Sequence, residues 1–174
     1  TPSDENETRK LLTTGFFHNG PASIRYPRGS GPNVAVEKDL SAVEIGKGRL
    51  IKEGSKNLIA IKFGALLDLA KEVASTLGLT LIDMRFVKPL DKNILRKYLS
   101  EAQAFISIED GSVAGGAGSA VQEFCSENNI NVKSKLFGIP DIFIEHQSRK
   151  EMIEESGLKA SRIIKEIKEL KLAE

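Results

Sequence analysis

Arg28 is the residue of this chain best placed for chemistry. It stands in Gly20-Pro21-Ala22-Ser23-Ile24-Arg25-Tyr26-Pro27-Arg28-Gly29. Residues 22–26 read as a strand. Pro27 fixes its own φ and holds Tyr26 extended, so the chain leaves in a defined direction. Gly29 then permits a turn where a side chain would be in the way. An arginine at the carboxyl end of a strand lies where α/β proteins receive ligands, and its planar fork suits a phosphate or carboxylate. The plainer alternative is a surface arginine paired with a neighbouring aspartate, and Arg28 taken alone fits it better.

Three further groups have the right residue types. Gly111-Ser112-Val113-Ala114-Gly115-Gly116-Ala117-Gly118-Ser119 joins a strand to a helix, so its backbone N–H groups and the helix dipole could face an anion. Its glycines lack both the dinucleotide spacing and the Gly-Lys-Ser/Thr signature, which favours close packing over ligand binding. Asp83, Arg85 and Lys88 lie along and just after a strand, where buried charge must be paired. Asp83, Asp110 or Glu109 is the expected partner of Arg85. His18 and His146 have no companions at metal spacing, and Cys125, behind Phe124, reads as core rather than nucleophile.

The elements that must carry these residues follow an alternating pattern. Residues 3–17 read as a helix capped by Ser3 or Asp4. A linker follows at Ser30-Gly31-Pro32-Asn33, then a short edge strand over 48–52. The apolar run 58–63 suits a strand buried on both faces, and 65–77 has helical spacing up to Gly78. Strand 79–87, helix 90–99, strand 104–108, helix 118–125 and strand 132–137 come next. Helices over 148–155, with a Ser148/Glu151 capping box, and 160–172 finish the chain. Strands separated by helices in this way predict a mostly parallel sheet with helices on both faces.

Composition sets wider limits. The chain has 174 residues, enough for one domain and an appendage. Its 25 basic and 24 acidic residues leave a net charge of +1, so no strong field points to nucleic acid or membrane. One cysteine cannot form an internal disulfide. No apolar run is long enough to span a bilayer, and no signal peptide is apparent. The chain opens on Thr1 rather than Met, as a piece of a longer protein or a processed product would.

The motifs gain meaning from their order. Thr1 to Glu7, Ile24-Arg25-Tyr26-Pro27-Arg28-Gly29, Asp83-Met84-Arg85-Phe86-Val87-Lys88-Pro89-Leu90-Asp91, Glu109-Asp110-Gly111 with Gly115 to Val121, and Gly138-Ile139-Pro140-Asp141 with Glu145-His146 occur in sequence. The series resembles the C-terminal part of the 1-deoxy-D-xylulose-5-phosphate synthases, thiamine-diphosphate enzymes of the transketolase superfamily, across essentially the whole chain. The resemblance implies a three-layer α/β/α transketolase C-terminal-like domain over residues 43–174. A linker at 30–42 and the tail of a pyrimidine-binding domain at 1–29 would precede it. It also implies condensation of pyruvate with D-glyceraldehyde 3-phosphate, with thiamine diphosphate as electron sink and Mg²⁺ beside it. Arg28 maps onto the phosphate anchor of the aldehyde substrate; Arg25 is a weaker candidate for the same phosphate, with a structural role as its rival. A homodimer is implied, located in the bacterial cytoplasm, or in the plastid of a plant or alga.

Much of that family's machinery is missing from this chain. The Gly-Asp-Gly and Asn diphosphate signature, the cofactor-activating glutamate, the reacting-centre histidines and the Mg²⁺ ligands all have no counterpart here; Glu109-Asp110-Gly111 is not that signature. The chain alone is therefore expected to be catalytically silent. Gln147 replaces the glycine that often follows the Glu-His pair. The alternatives are a related transketolase, a 2-oxoacid dehydrogenase β-subunit domain, or a stand-alone module binding an anion or a partner through the Gly-rich loop.

Overall fold

The computed structural model describes residues 1–172. Helix α1 (Glu5–Phe17) comes first, followed by a segment without helix or strand and then an alternating unit. That unit comprises β1 (Arg49–Lys52), β2 (Ser55–Phe63), α2 (Leu67–Leu77), β3 (Leu79–Asp83), α3 (Lys92–Leu99), β4 (Ala104–Ser112), α4 (Ala117–Glu127) and β5 (Lys133–Ile139). Helices α5 (Arg149–Glu155) and α6 (Ala160–Glu169) close it. The strands lie in the order β1-β3-β2-β4-β5, all parallel except β1, which runs antiparallel along the β3 edge.

The central strands are apolar on both sides because both faces are covered. Leu58 and Ala60 of β2 and Ile106 of β4 pack with α2 and α6, through Val73, Ile163 and Ile167. Ile59, Ile61 and Phe63 point to the other face and meet α3 and α4, through Leu95, Leu99, Val121 and Phe124. The expected three-layer α/β/α arrangement is therefore present. Several stops follow from local chemistry. Gly78 ends α2 in the left-handed region (φ 66°). Asp91 caps α3 by accepting from the Asn93 and Ile94 N–H groups, and Ser148 and Glu151 form the capping box of α5. Cys125 is buried in the core, and burial pushes its thiol pKa up.

Two expected strands differ. Residues 22–26 form no strand and pair with none among the described residues. Their alternation reflects docking of single side chains rather than a ladder. Strand β3 stops at Asp83, not Val87, because Arg85 takes a positive φ of 55° and turns the chain out of the sheet. No helix among the described residues is long and apolar enough to cross a membrane.

Candidate functional site

The parallel strands deliver their carboxyl ends to one edge, where β2, β3 and β4 finish at Phe63, Asp83 and Ser112. Adjacent strands there send their next helices to opposite faces: α2 packs on one side, α3 and α4 on the other. Such a divergence opens a crevice above the strand ends. Here the chain's own charged groups fill much of it.

Asp110, only 6% exposed, sits at its centre. Its Oδ1 accepts from Arg25 Nη2 at 2.6 Å, and its backbone carbonyl accepts from Arg25 Nη1 at 3.3 Å. Its Oδ2 accepts from the Ala65 N–H at 3.3 Å and lies 3.8 Å from Arg149 Nη2. Gly64, between β2 and α2, has φ of 75°, and a Cβ there would collide with the Asp110 carboxylate. The sequence at this turn is thus fixed by the approach of Asp110 and Arg25.

Arg25 therefore has a structural partner, and it is the arginine that pairs with a nearby aspartate. Arg28, three residues on, is exposed, and no carboxylate among the described residues pairs with it. Tyr26, Pro27 and Gly29 line a cleft of about 600 Å³ between the start of α1 and the start of α2; Arg9, Lys71 and Arg149 line it as well, and Arg28 does not.

A second polar cluster lies at the β1 and β3 side of the same edge. Lys62 and Asp83 are both fully buried, and Lys62 Nζ lies 2.8 Å from Asp83 Oδ1 while donating to the Gly64 carbonyl at 2.6 Å. Burial pulls the Lys62 pKa down from the ordinary lysine range, with Asp83 opposing the change. Arg49 joins this pair to α1: it contacts Asp83 at 3.1 Å, Glu7 at 3.1 Å and Ser3 Oγ at 2.9 Å. The expectation for Arg85 is corrected at this point. Its guanidinium pairs with Glu7 of α1 at 2.7 Å rather than with Asp83, Asp110 or Glu109. The turn at Arg85 carries its side chain off the sheet and toward the helix.

The Gly-rich loop is occupied from within. Glu109 turns its carboxylate under the start of α4, where Oε2 accepts from the Ala117 N–H and Oε1 from the Gly118 N–H, each at 2.9 Å. The anion position at this helix N-terminus is thus filled by the chain's own carboxylate. A Cβ on Gly118 would strike Ser107 Oγ, so glycine lets α4 lie close on β4. His18 and His146 are both exposed. Gln147 donates from Nε2 to Glu155 Oε2 across α5.

Sequence reasoning singled out Arg25, Arg28 and the Gly-rich loop but not Asp110 or Glu109 as the partners of Arg25 and of the loop. Lys62 carried a readable signal, a charge inside an apolar run that had to be paired. Glu7 carried none, because an acidic residue in a first helical turn is explained by the helix dipole alone.

The comparisons with known proteins agree with this architecture. A family model described as transketolase, C-terminal domain, matches residues 46–163. A 1-deoxy-D-xylulose-5-phosphate synthase of Pseudomonas fluorescens (strain Pf0-1) is 49% identical over 159 residues, covering 91% of this chain and 25% of that relative. Its namesake from Pseudomonas fluorescens (strain SBW25) is 46% identical over 170 residues, 97% of this chain and 27% of the relative. The chain spans about a quarter of the length of these curated relatives. A solved structure titled "Split gene transketolase, inactive beta4 tetramer" superposes with a TM-score of 0.84 at 29% identity, covering 99% of this chain and 57% of that one. A β2–β3–β4 parallel core, helices on both faces and a family match over most of its length place this chain in the transketolase C-terminal domain family.

Proposed function

We propose that this chain is the C-terminal part of a thiamine-diphosphate-dependent synthase that condenses pyruvate with D-glyceraldehyde 3-phosphate, giving 1-deoxy-D-xylulose 5-phosphate and CO₂. The observation that carries the proposal is 46–49% identity to relatives of that name over more than nine-tenths of the chain. Residues 1–29 close a pyrimidine-binding domain, 30–42 form a linker, and 43–174 form the C-terminal domain. Phe16 and Phe17 are 83% and 73% exposed on α1 beside Leu12 and Leu40, an apolar surface suited to the rest of such a domain. The complete protein is proposed to work as a cytoplasmic homodimer.

The cofactor site lies outside these residues in this reading. Among the described residues no group of three His, Cys, Asp or Glu side chains could hold a metal ion, and Glu109 takes the α4 N-terminus that a diphosphate would need. The donor set does not fit thiamine diphosphate or Mg²⁺, so no chemical step is assigned to this chain. Its role is to place charge. Arg28 anchors the aldehyde phosphate: its guanidinium is exposed, free of carboxylate partners among the described residues, and followed by a glycine. Arg25 holds the arm from which Arg28 projects.

The test is Arg28→Ala in the full-length enzyme. A charge-assisted phosphate contact is worth about 1.5–3 kcal/mol, so KM for glyceraldehyde 3-phosphate rises by at least about tenfold. KM for pyruvate stays unchanged. Equal damage to both substrates assigns Arg28 to folding instead. A panel of 2-oxoacid and ketose-phosphate donors with the intact protein separates the synthase from a transketolase.

A further inference from the structure

We propose that Asp110 is a positioning residue for the phosphate end of the substrate, acting through Arg25 on the arm that presents Arg28. The inference rests on the reading of Arg28 given above and adds the group that sets its place.

The geometry at Asp110 is that of a prepared socket. The carboxylate is 6% exposed, yet its principal partner, Arg25, is 47% exposed and belongs to a segment with no strand or helix of its own. Oδ2 has its own partner in the Ala65 N–H, with the Arg149 guanidinium 3.8 Å away. Oδ1 is thereby left facing Arg25. The Asp110 carbonyl takes a second N–H of the same guanidinium, so the fork is fixed in orientation as well as distance. Gly64 clears the space, since any side chain there would displace the carboxylate.

From the socket the constraint runs along the backbone. Only Tyr26 and Pro27 separate the pinned arginine from Arg28. Pro27 fixes φ, and Tyr26 is confined to extended conformations by the proline after it. Pinning Arg25 therefore restricts where the Arg28 guanidinium can reach. Without the pin, the same arginine would have to be ordered at the moment of binding, which weakens the phosphate contact without touching the reacting atoms.

The experiment uses the full-length enzyme carrying Asp110→Asn, Arg25→Ala, Arg25→Lys, Arg28→Ala and the Asp110→Asn/Arg25→Ala pair. Steady-state kinetics are read with glyceraldehyde 3-phosphate and with unphosphorylated glyceraldehyde as acceptors. Asp110→Asn and Arg25→Ala are each expected to raise KM for the phosphorylated acceptor about five- to tenfold. Their kcat and pyruvate KM stay within twofold, and kcat/KM for the unphosphorylated acceptor is unchanged. Arg25→Lys, which keeps a cation on Asp110, recovers part of the loss. The double variant is no worse than either single one, because both break the same link. Losses that are equal for both acceptors, or a double variant whose losses multiply, overturn the proposal in favour of a purely structural ion pair. If Arg28→Ala raises KM and Asp110→Asn does not, the inference fails while the phosphate-anchor reading stands. If Arg28→Ala has no effect, both fall. Arg25 is half exposed, so its variants keep the test decisive even where Asp110→Asn lowers stability.

Discussion

Helices α1 and α6 attach to the same α/β unit by opposite means. Helix α6 buries Ile163 and Ile167 against α2 and the sheet and turns its charges outward, an amphipathic helix in the ordinary sense. Helix α1 buries Glu7, Leu11 and Thr14, and it meets the unit at Arg49 and Arg85, with Ser3 just before the helix also accepting from Arg49. Its large apolar residues, Phe16 and Phe17, face away. The difference teaches what each contact does. Apolar burial is tolerant of small shifts, whereas a shared carboxylate between two guanidinium groups fixes one orientation. In the two-domain reading proposed above, α6 completes the C-terminal domain, while α1 sets the angle at which its own domain meets it.

The irregular segment after α1 follows the same rule. Asn6 donates to the Ala35 carbonyl and accepts from the Glu37 N–H, both at 2.9 Å, and Glu5 accepts from the Asn33 N–H at 2.7 Å. The linker is thereby strapped along the helix by polar contacts that are individually modest.

The comparison can be broken most severely at its shared anchor. Asp83→Asn removes the counterion of the buried Lys62 and one partner of Arg49. Stranding a buried charge costs about 3–5 kcal/mol, so urea denaturation midpoints should fall sharply and the whole unit should loosen. Ile163→Ala comes next. It leaves a cavity between α6 and α2 and is expected to cost about 2–5 kcal/mol in global unfolding, with α1 unaffected until the domain melts.

Glu7→Gln sharpens the contrast from the other side. It weakens charge-assisted bonds to Arg49 and Arg85, worth about 1.5–3 kcal/mol together with the unpaired groups it leaves. Hydrogen exchange should quicken in α1 while the α2 and β2 amides keep their protection. Uniform acceleration across the sheet would mean that the polar docking also stabilises the core. The smallest effect is a pH dependence at α5. Hydrogen bonds from the Ser148 side chain and backbone hold the Glu151 carboxyl below the ordinary glutamate range. A depressed folded-state pKa stabilises above the unfolded value, and that contribution disappears as pH falls through the folded one. An NMR titration should show the Ser148 amide shifting at that acidic point and staying constant from there to neutrality.

How much of this was legible in the sequence varies from element to element, for physical reasons. The stripe on α6, the apolar run of β2 and the αL stop at Gly78 are local, so periodicity and one glycine were enough to read them. The C-terminal end of β3 was not, because Arg85 leaves the sheet to reach Glu7, 78 residues away. Residues 22–26 have the alternation of a strand, but a strand also needs a partner, and this segment pairs with none among the described residues. The Gly-rich loop had two local readings, and only the fold brings Glu109 beneath it.

The sequence by itself therefore determined the α/β alternation, the helix caps, the family and the two arginines, Arg25 and Arg28, as candidates. These rest on short-range patterns and on motifs written out residue by residue. Tertiary structure alone decided which arginine is spent on Asp110 and which has no carboxylate partner among the described residues, that Lys62 and Asp83 are buried as a pair, and that α1 docks by charge. Those outcomes depend on which residues the parallel strands bring to a single edge, and partner choice there is set by distance and burial, which no spacing along the chain encodes.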